Sequence, residues 1–539
     1  MYARTATRAK PRKSQIKKWP APVAGWIANR SLSEPATDGA TAVPPGAAVM
    51  DNFFPRSSNV VLRRGSLTVA NLPTGDVTAL FRYDDGSVDR FFASTASTIY
   101  DISDVPDPTQ PNAGPAISGT VVSSGYTGGE WIITQFATTG GVYLVGVNGK
   151  DAGFVYDGAT FTSMAGITFP NGYTSADMVY VWAYKNRLFF ARVDSMDSYY
   201  LPVDAIAGAA DVFPLSGVFT EGGELLFGAS WSLQDSGNDG LSEQMVYVSS
   251  EGQVAVYQGD DPSNAATWSK VGLYRVGAPL GRQAFFRGGG DIAVATTVGL
   301  VPLSKAVTLD QAALNAGSVS YKITDAWTDA VNHGLFGWKC LVWPEGKMAI
   351  VAPNDANKRP IVFVTNAETG AWARFTGWTV TALAVFGGNL YFGSTDGKVI
   401  RAQVTGSDDG TPYTGVLLPL FDDLGNPAST KIVTVGRARV MANLKIEGYV
   451  TTAVEFNVDP PPQPDATASL VVSDWDYGKW GTSVWSSQKP SVINQDWQSL
   501  GSGGYSLSMW YQITSGDPIP LDAEVIGMDM LFEVTEAIG

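Results

Sequence analysis

His333 and Cys340 are the residues to weigh first, because imidazole and thiol are the usual bases and nucleophiles near neutral pH, and each occurs once in this chain. A histidine base needs a hydroxyl or thiol nucleophile and an orienting acid within reach. No such set stands at usable spacing around His333. The aromatics Trp327 and Trp338 beside it suit a structural or partly exposed histidine instead. One cysteine excludes an intramolecular disulfide, and one cysteine with one histidine excludes a Cys–His zinc site.

Paired carboxylates are the next candidates. Asp84-Asp85, Asp260-Asp261, Asp408-Asp409 and Asp422-Asp423 each stand near Gly or Pro. A glycosidase requires two carboxylates facing each other across the scissile bond. Adjacent acids in a strand point to opposite faces, and in a turn they are solvated. Turn roles are therefore expected. Gly288-Gly289-Gly290 lacks the spacing and the following Lys-Ser/Thr of a phosphate loop. Ser394-Thr395-Asp396-Gly397 departs from the Ser-x-Asp-x-Gly-x-x-Trp turn of sialidase-type propellers, lacking the residue between Asp and Gly and the closing Trp. No EF-hand-like Asp spacing is present, so neither a metal nor a cofactor is expected.

The elements that would position any site are short strands. Leu390-Tyr391-Phe392-Gly393 and Val399-Ile400 flank Thr395-Asp396-Gly397, a hairpin turn in which Gly tolerates positive φ. Weaker copies recur at Ser94–Ile99, Asn148–Tyr156, Val193–Tyr200, Ser249–Tyr257, Thr296–Val301 and Asn354–Phe363. Their spacing of roughly 50 residues is near that of propeller repeats. One such unit cannot bury its own face, so neighbours must stack around an axis. The expectation is an all-β chain: a β-propeller of six or seven blades over 51–405, then a C-terminal β-sandwich-like domain over 406–539. Short helices are expected only at Gln311–Asn315 and Asp325–Leu335.

In the last domain Leu444–Glu447 and Tyr505–Tyr511 alternate in the manner of half-buried strands. Asp459-Pro460-Pro461-Pro462-Gln463-Pro464 marks a loop or edge. Trp475, Trp480, Trp485, Trp497 and Trp510 follow. They are read as core or interface aromatics, with a sugar-stacking platform as the alternative.

Charge divides the chain. Residues 1–30 carry Arg4, Arg8, Lys10, Arg12, Lys13, Lys17, Lys18 and Arg30 with no acid, while the rest holds 28 basic and 51 acidic side chains. Residues 1–19 read as an unstructured basic arm and 20–50 as an extended lead-in, together an arm over 1–50. Such an arm fits an acidic neighbouring subunit or nucleic acid. Charged residues are only 16%, which suits extensive burial in an assembly. No signal-peptide pattern opens the sequence and no apolar run reaches membrane-span length, so synthesis in the cytoplasm is expected.

Four segments resemble the tail nozzle proteins (tail tubular, or packaged-DNA stabilising) of short-tailed phages and related prophages. They are Asn52-Phe53-Phe54-Pro55 with Leu62-Arg63-Arg64-Gly65; Ser249–Pro262 with Gly277-Ala278-Pro279-Leu280-Gly281; Thr369–Trp378 with Leu390–Ile400; and Lys431-Ile432-Val433-Thr434-Val435 with Trp475-Asp476, Trp480-Gly481 and Trp485. Residues 1–50 match nothing in that family. The resemblance implies a non-enzymatic virion component: a homo-oligomeric ring, a hexamer, below a head-to-tail adaptor ring. It would retain packaged double-stranded DNA and conduct it at ejection, with tail fibres or spikes as further partners. A tail adhesin that binds or cleaves host-surface glycan is the alternative.

Overall fold

The computed structural model describes residues 14–29, 32–33, 44–73, 75–110, 114–233, 242–442, 446–466, 472–473, 484–485 and 492–535. The chain divides into two compact units. One comprises 1–65, 371–375 and 405–539, and the other 66–370 and 376–404.

The second unit is a β-propeller. Hairpin-linked strands form Ala79–Asp84 through Thr120–Ser124, Ile132–Thr138 through Phe161–Ser163, Met178–Tyr184 through Asp211–Pro214, and Leu225–Leu233 through Ser269–Arg275, four strands in each. A three-stranded blade, Phe285–Gly288, Asp291–Ala295 and Leu300–Pro302, comes fifth. Lys339–Trp343, Met348–Ala352 and Ile361–Asn366 belong to the sixth. The seventh joins Ala382–Phe386, Asn389–Gly393 and Lys398–Thr405 to the early strand Gly65–Asn71. Closing the last blade with a strand from the start of the propeller ties the ring where it would otherwise open. The backbones of the first strands of successive blades contact one another, except that Leu225–Leu233 of the fourth meets the second strand of the fifth, Asp291–Ala295; Ala382–Phe386 returns to Ala79–Asp84.

All seven turns singled out in the sequence join the second strand of a blade to its third. Gly397 adopts φ +77 in the last of them. Aromatic rings fill the seams between blades: Phe91 stacks on Phe386 at 4.7 Å, Phe227 on Phe285 at 4.4 Å, and Tyr83 meets Tyr156 edge-on at 5.1 Å. Helices appear after the fifth blade at Leu303–Thr308, Leu314–Gly317 and Thr324–His333. The first of these was not foreseen. It is only six residues long and follows a strand directly, too short for a periodic signal.

The first unit is a β-sandwich. One sheet runs Phe53–Pro55, Val60–Leu62, Glu524–Val534 and Lys431–Ala442, with Ser14–Pro20 added beside Glu524–Val534 and Gln498–Gly504 beside Lys431–Ala442. The facing sheet orders Ala47–Asp51, Tyr413–Pro419, Leu507–Ser515 and Tyr449–Val454. Phe53 of the first meets Tyr511 of the second at 6.1 Å.

Four sequence expectations change here. Residues 14–19 are not unstructured: Ser14–Pro20 pairs antiparallel with Glu524–Val534, and Trp19 is fully buried. Its partner lies more than 500 residues away, beyond any local signal. Residues 51–65 lie in the sandwich unit rather than in the propeller. Leu507–Ser515 is buried at all nine positions instead of half-buried. The proline segment covers its outer face, since Gln512 Nε2 donates to Pro461 O at 3.1 Å and Thr514 Oγ1 to Pro464 O at 2.8 Å. Of the strand expected at Leu444–Glu447, residues 444 and 445 lie outside the described residues, Ile446 and Glu447 are not in a strand, and the next strand is Tyr449–Val454.

Candidate functional site

Where the first strands of four blades begin, the propeller carries a cleft of about 290 Å³. Asp76 and Thr78 enter it just ahead of Ala79–Asp84, Glu130 just ahead of Ile132–Thr138, and Thr381 just ahead of Ala382–Phe386; Lys339 opens its own strand. Threonines staple these turns: Thr78 Oγ1 donates to Gly129 O at 2.7 Å and Thr381 Oγ1 to Val77 O at 2.6 Å. Lys339 Nζ donates to Gln283 Oε1 at 2.7 Å. Burial lowers the lysine pKa and the Glu130 carboxylate works against that shift. On the rim Arg359 Nε reaches Asp355 at 2.6 Å and its Nη1 reaches Asp329 at 2.9 Å. The cleft can hold a small polar ligand through both charge signs and hydroxyl groups.

The chain's histidine and cysteine stand outside this chemistry. His333 is exposed on its helix, with Nδ1 2.9 Å from Asp329 O. Burial pushes the Cys340 thiol far up, away from thiolate reactivity. Among the described residues no group of three His, Cys, Asp or Glu could hold a metal ion.

The tandem carboxylates are mostly turn caps. Asp85 Oδ1 accepts the Ser87 and Val88 N–H groups at 2.8 and 2.7 Å, Asp261 accepts Ser263 N–H at 3.1 Å, and Asp423 accepts Gly425 N–H at 2.9 Å. Asp408 differs. It meets Arg63, whose side chain is fully buried. Arg63 Nε also donates to Asn52 Oδ1 at 2.8 Å, Asn52 Nδ2 donates to Thr414 O at 2.7 Å, and the guanidinium lies 4.1 Å over the Tyr413 ring. Asn52 takes φ 58 to do this. Asn52, Arg63, Asp408, Tyr413 and Thr414 all belong to the sandwich unit, Arg63 and Asp408 close in sequence to its bounds at 65 and 405. A second bidentate pair, Arg374 with Asp51 at 2.7 Å for both bonds, ties residues 371–375 into the same unit.

Of the basic arm, Lys17 pairs with Asp422 of the same chain and lies 5.3 Å over Trp19, while Lys18 is exposed. Arg4, Arg8, Lys10, Arg12, Lys13 and Arg30 lie outside the described residues. Trp510 is buried in a hydrophobic cluster with Ala48, Leu418 and Phe421, on the face of its strand that it shares with Gln512 and Thr514. Trp497 is 44% exposed and stacks on Arg437 at 4.5 Å. Trp475 and Trp480 lie outside the described residues, as does the side chain of Trp485 in its short strand. The series is thus not gathered into one platform by the residues described. Sequence reasoning missed Arg63–Asp408 and Lys339–Gln283. Both pairs join residues too distant in the chain for a spacing motif.

No family model and no curated protein matches the chain. Solved structures are similar to part of it. BBS1N, in a lead-soaked crystal with ARL6DN, is 12% identical, covering 63% of this chain and 98% of that one, with a TM-score of 0.38. BamB from Moraxella catarrhalis is 13% identical over 65% and 93%, TM-score 0.35. The Swd1 β-propeller domain from Myceliophteria thermophila is 10% identical over 63% and 100%, TM-score 0.35. None of these likenesses bears on function.

Proposed function

We propose that this chain is a structural component of a phage tail. In this reading it forms a homo-oligomeric nozzle ring that retains packaged DNA and conducts it at ejection. The observation that carries the reading is the Asn52–Arg63–Asp408 node. The residues that resemble tail nozzle proteins at 52–65 supply two of its three members, Asn52 and the buried Arg63, within the sandwich unit. The formal net charge of −15 supports the same reading, because acidic walls repel phosphate and let DNA slide without sticking. Ser14–Pro20, the described end of the basic arm, belongs to the sandwich unit too, through Trp19 and the Lys17–Asp422 pair.

Negative-stain microscopy of the purified protein, alone and mixed with a candidate adaptor ring, tests the reading. Closed rings with a central channel are the expected result. Monomers indifferent to the adaptor would overturn it.

The propeller cleft favours a second reading, a glycan-binding tail adhesin. Its threonines, carboxylates and the buried Trp378 wall are groups that hold sugars. Binding of the isolated protein on a glycan array, lost in Glu130→Gln or Asp76→Asn, would select that reading over the ring.

A further inference from the structure

A slot of about 470 Å³ opens in the sandwich. Ala438 and Val440 line it from one sheet, Val450 and Tyr511 from the other, and Glu447 and Asp465 stand exposed at its mouth. Asp496 also lines it, and among the described residues lining it there is no lysine or arginine. Among the described residues neither the Glu447 nor the Asp465 side chain has a hydrogen-bond or ion-pair partner.

Tyr511 supplies the second observation. It is 2% exposed, and its hydroxyl has no hydrogen-bond partner. Buried hydroxyls are seldom left so, because the lost water contacts go unreplaced. The hydroxyl lies against Gly448, another lining residue: a Cβ there would fall 2.6 Å from the oxygen. Gln498 holds this backbone in place, donating from Nε2 to Gly448 O and accepting Val450 N–H at 2.9 Å.

Apolar walls, an unmet hydroxyl and two unpaired carboxylates suit a ligand with an aliphatic stem and a cationic, hydrogen-bond-donating head. Lysine and arginine side chains have that form. An anion would be repelled. A neutral ligand would leave the carboxylates unused. A bare metal ion would need a convergent carboxylate set that no described residues form. We propose that this slot binds a lysine or arginine side chain presented on a basic peptide segment of a partner protein. The inference does not depend on the tail-ring reading.

The test is fluorescence anisotropy of the full chain with a labelled, amidated peptide Arg-Ala-Lys-Pro-Arg-Lys, the sequence of residues 8–13. A control peptide carries norleucine at each cationic position, keeping the stems and removing the charge. The expected result is saturable binding at low salt, at least tenfold weaker for the control. Tyr511→Phe should weaken binding severalfold with an unchanged unfolding midpoint, and Glu447→Gln with Asp465→Asn at least tenfold. Absence of binding, or equal binding of the control peptide, would overturn the proposal. So would a Tyr511→Phe protein that binds like the parent, since the peptide would then be reading surface charge alone.

Discussion

Arg63 and Asp408 stand 345 residues apart in the chain and meet in a two-pronged ion pair, Nη1 to Oδ1 at 2.9 Å and Nη2 to Oδ2 at 2.5 Å. The arginine side chain is fully buried and the aspartate 14% exposed. A pair this dry is not a large net source of stability, because desolvation offsets the attraction. Breaking it from one side is costly, because the remaining charge stays buried. Arg63→Ala should therefore destabilise the sandwich by about 3–5 kcal/mol. Arg63→Lys should recover only part of this, since an ammonium cannot present two parallel N–H groups. Urea unfolding followed by circular dichroism reads both, and a parental midpoint for Arg63→Ala would refute the argument.

The edge strand Ser14–Pro20 hangs on one deep anchor. Its other side chains are exposed or half-buried, whereas Trp19 is fully buried. Trp19→Ala should cost about 3–5 kcal/mol. Hydrogen exchange should then quicken in Glu524–Val534, the strand it covers, with little change in the propeller blades. Deletion of residues 1–19 should likewise leave the propeller folded while impairing ring assembly; normal rings from the truncated protein would count against an assembly role for the arm.

Asp107 makes acid stability a propeller property. Burial works to raise its pKa, but hydrogen bonds from the Thr109 hydroxyl and amide and the contact with Arg401 outweigh it. Together they hold the carboxyl at about 2 against an ordinary 3.8. A depressed folded-state pKa means stability that is present above the unfolded value and lost as pH falls toward the folded one. The unfolding midpoint should drop between about pH 4 and pH 2, and Asp107→Asn should flatten part of that slope. The side chain is 44% exposed, so solvent screening keeps the effect modest. An unchanged slope in the variant would remove Asp107 from the account.

Gly397 should tolerate little. Its φ is +77, and a Cβ would come within 2.9 Å of Leu72 O and 3.0 Å of Gly75 O. Gly397→Val should lower stability by about 1–3 kcal/mol through backbone strain, before any cost of that crowding. Thermal unfolding measures it. Gly75 is the control: it has φ +73 with open space around it, so substitution there meets strain without crowding.

How much could be read from residues alone follows from the range of the forces involved. Turn chemistry is local. A glycine at positive φ between two apolar runs announces a hairpin, as at Gly149, Gly252, Gly299 and Gly397, and small or polar residues such as Asp, Asn and Ser mark the other three blade turns; the seven turns, the all-β class and the turn-capping role of most tandem aspartates were therefore legible in the sequence. That Trp510 is buried suits the same local reading, since large alternating side chains demand burial. Asp459–Pro464 was correctly a loop, but its covering of Leu507–Ser515 was not visible.

Long-range pairing carries no such signature. Nothing near Ser14 says that its strand will lie against Glu524–Val534, and nothing near Arg63 names Asp408. The propeller cleft depends on Asp76, Glu130 and Lys339 meeting only after blades close into a ring. The slot beside Tyr511 depends on two sheets stacking. What the amino-acid sequence determined by itself was the alphabet of short strands and turns, because backbone sterics act over a few residues. What the tertiary structure decided was which distant charges are buried together and which hydroxyl is left unmet, because those follow from desolvation, a property of the packed chain and not of any stretch of it.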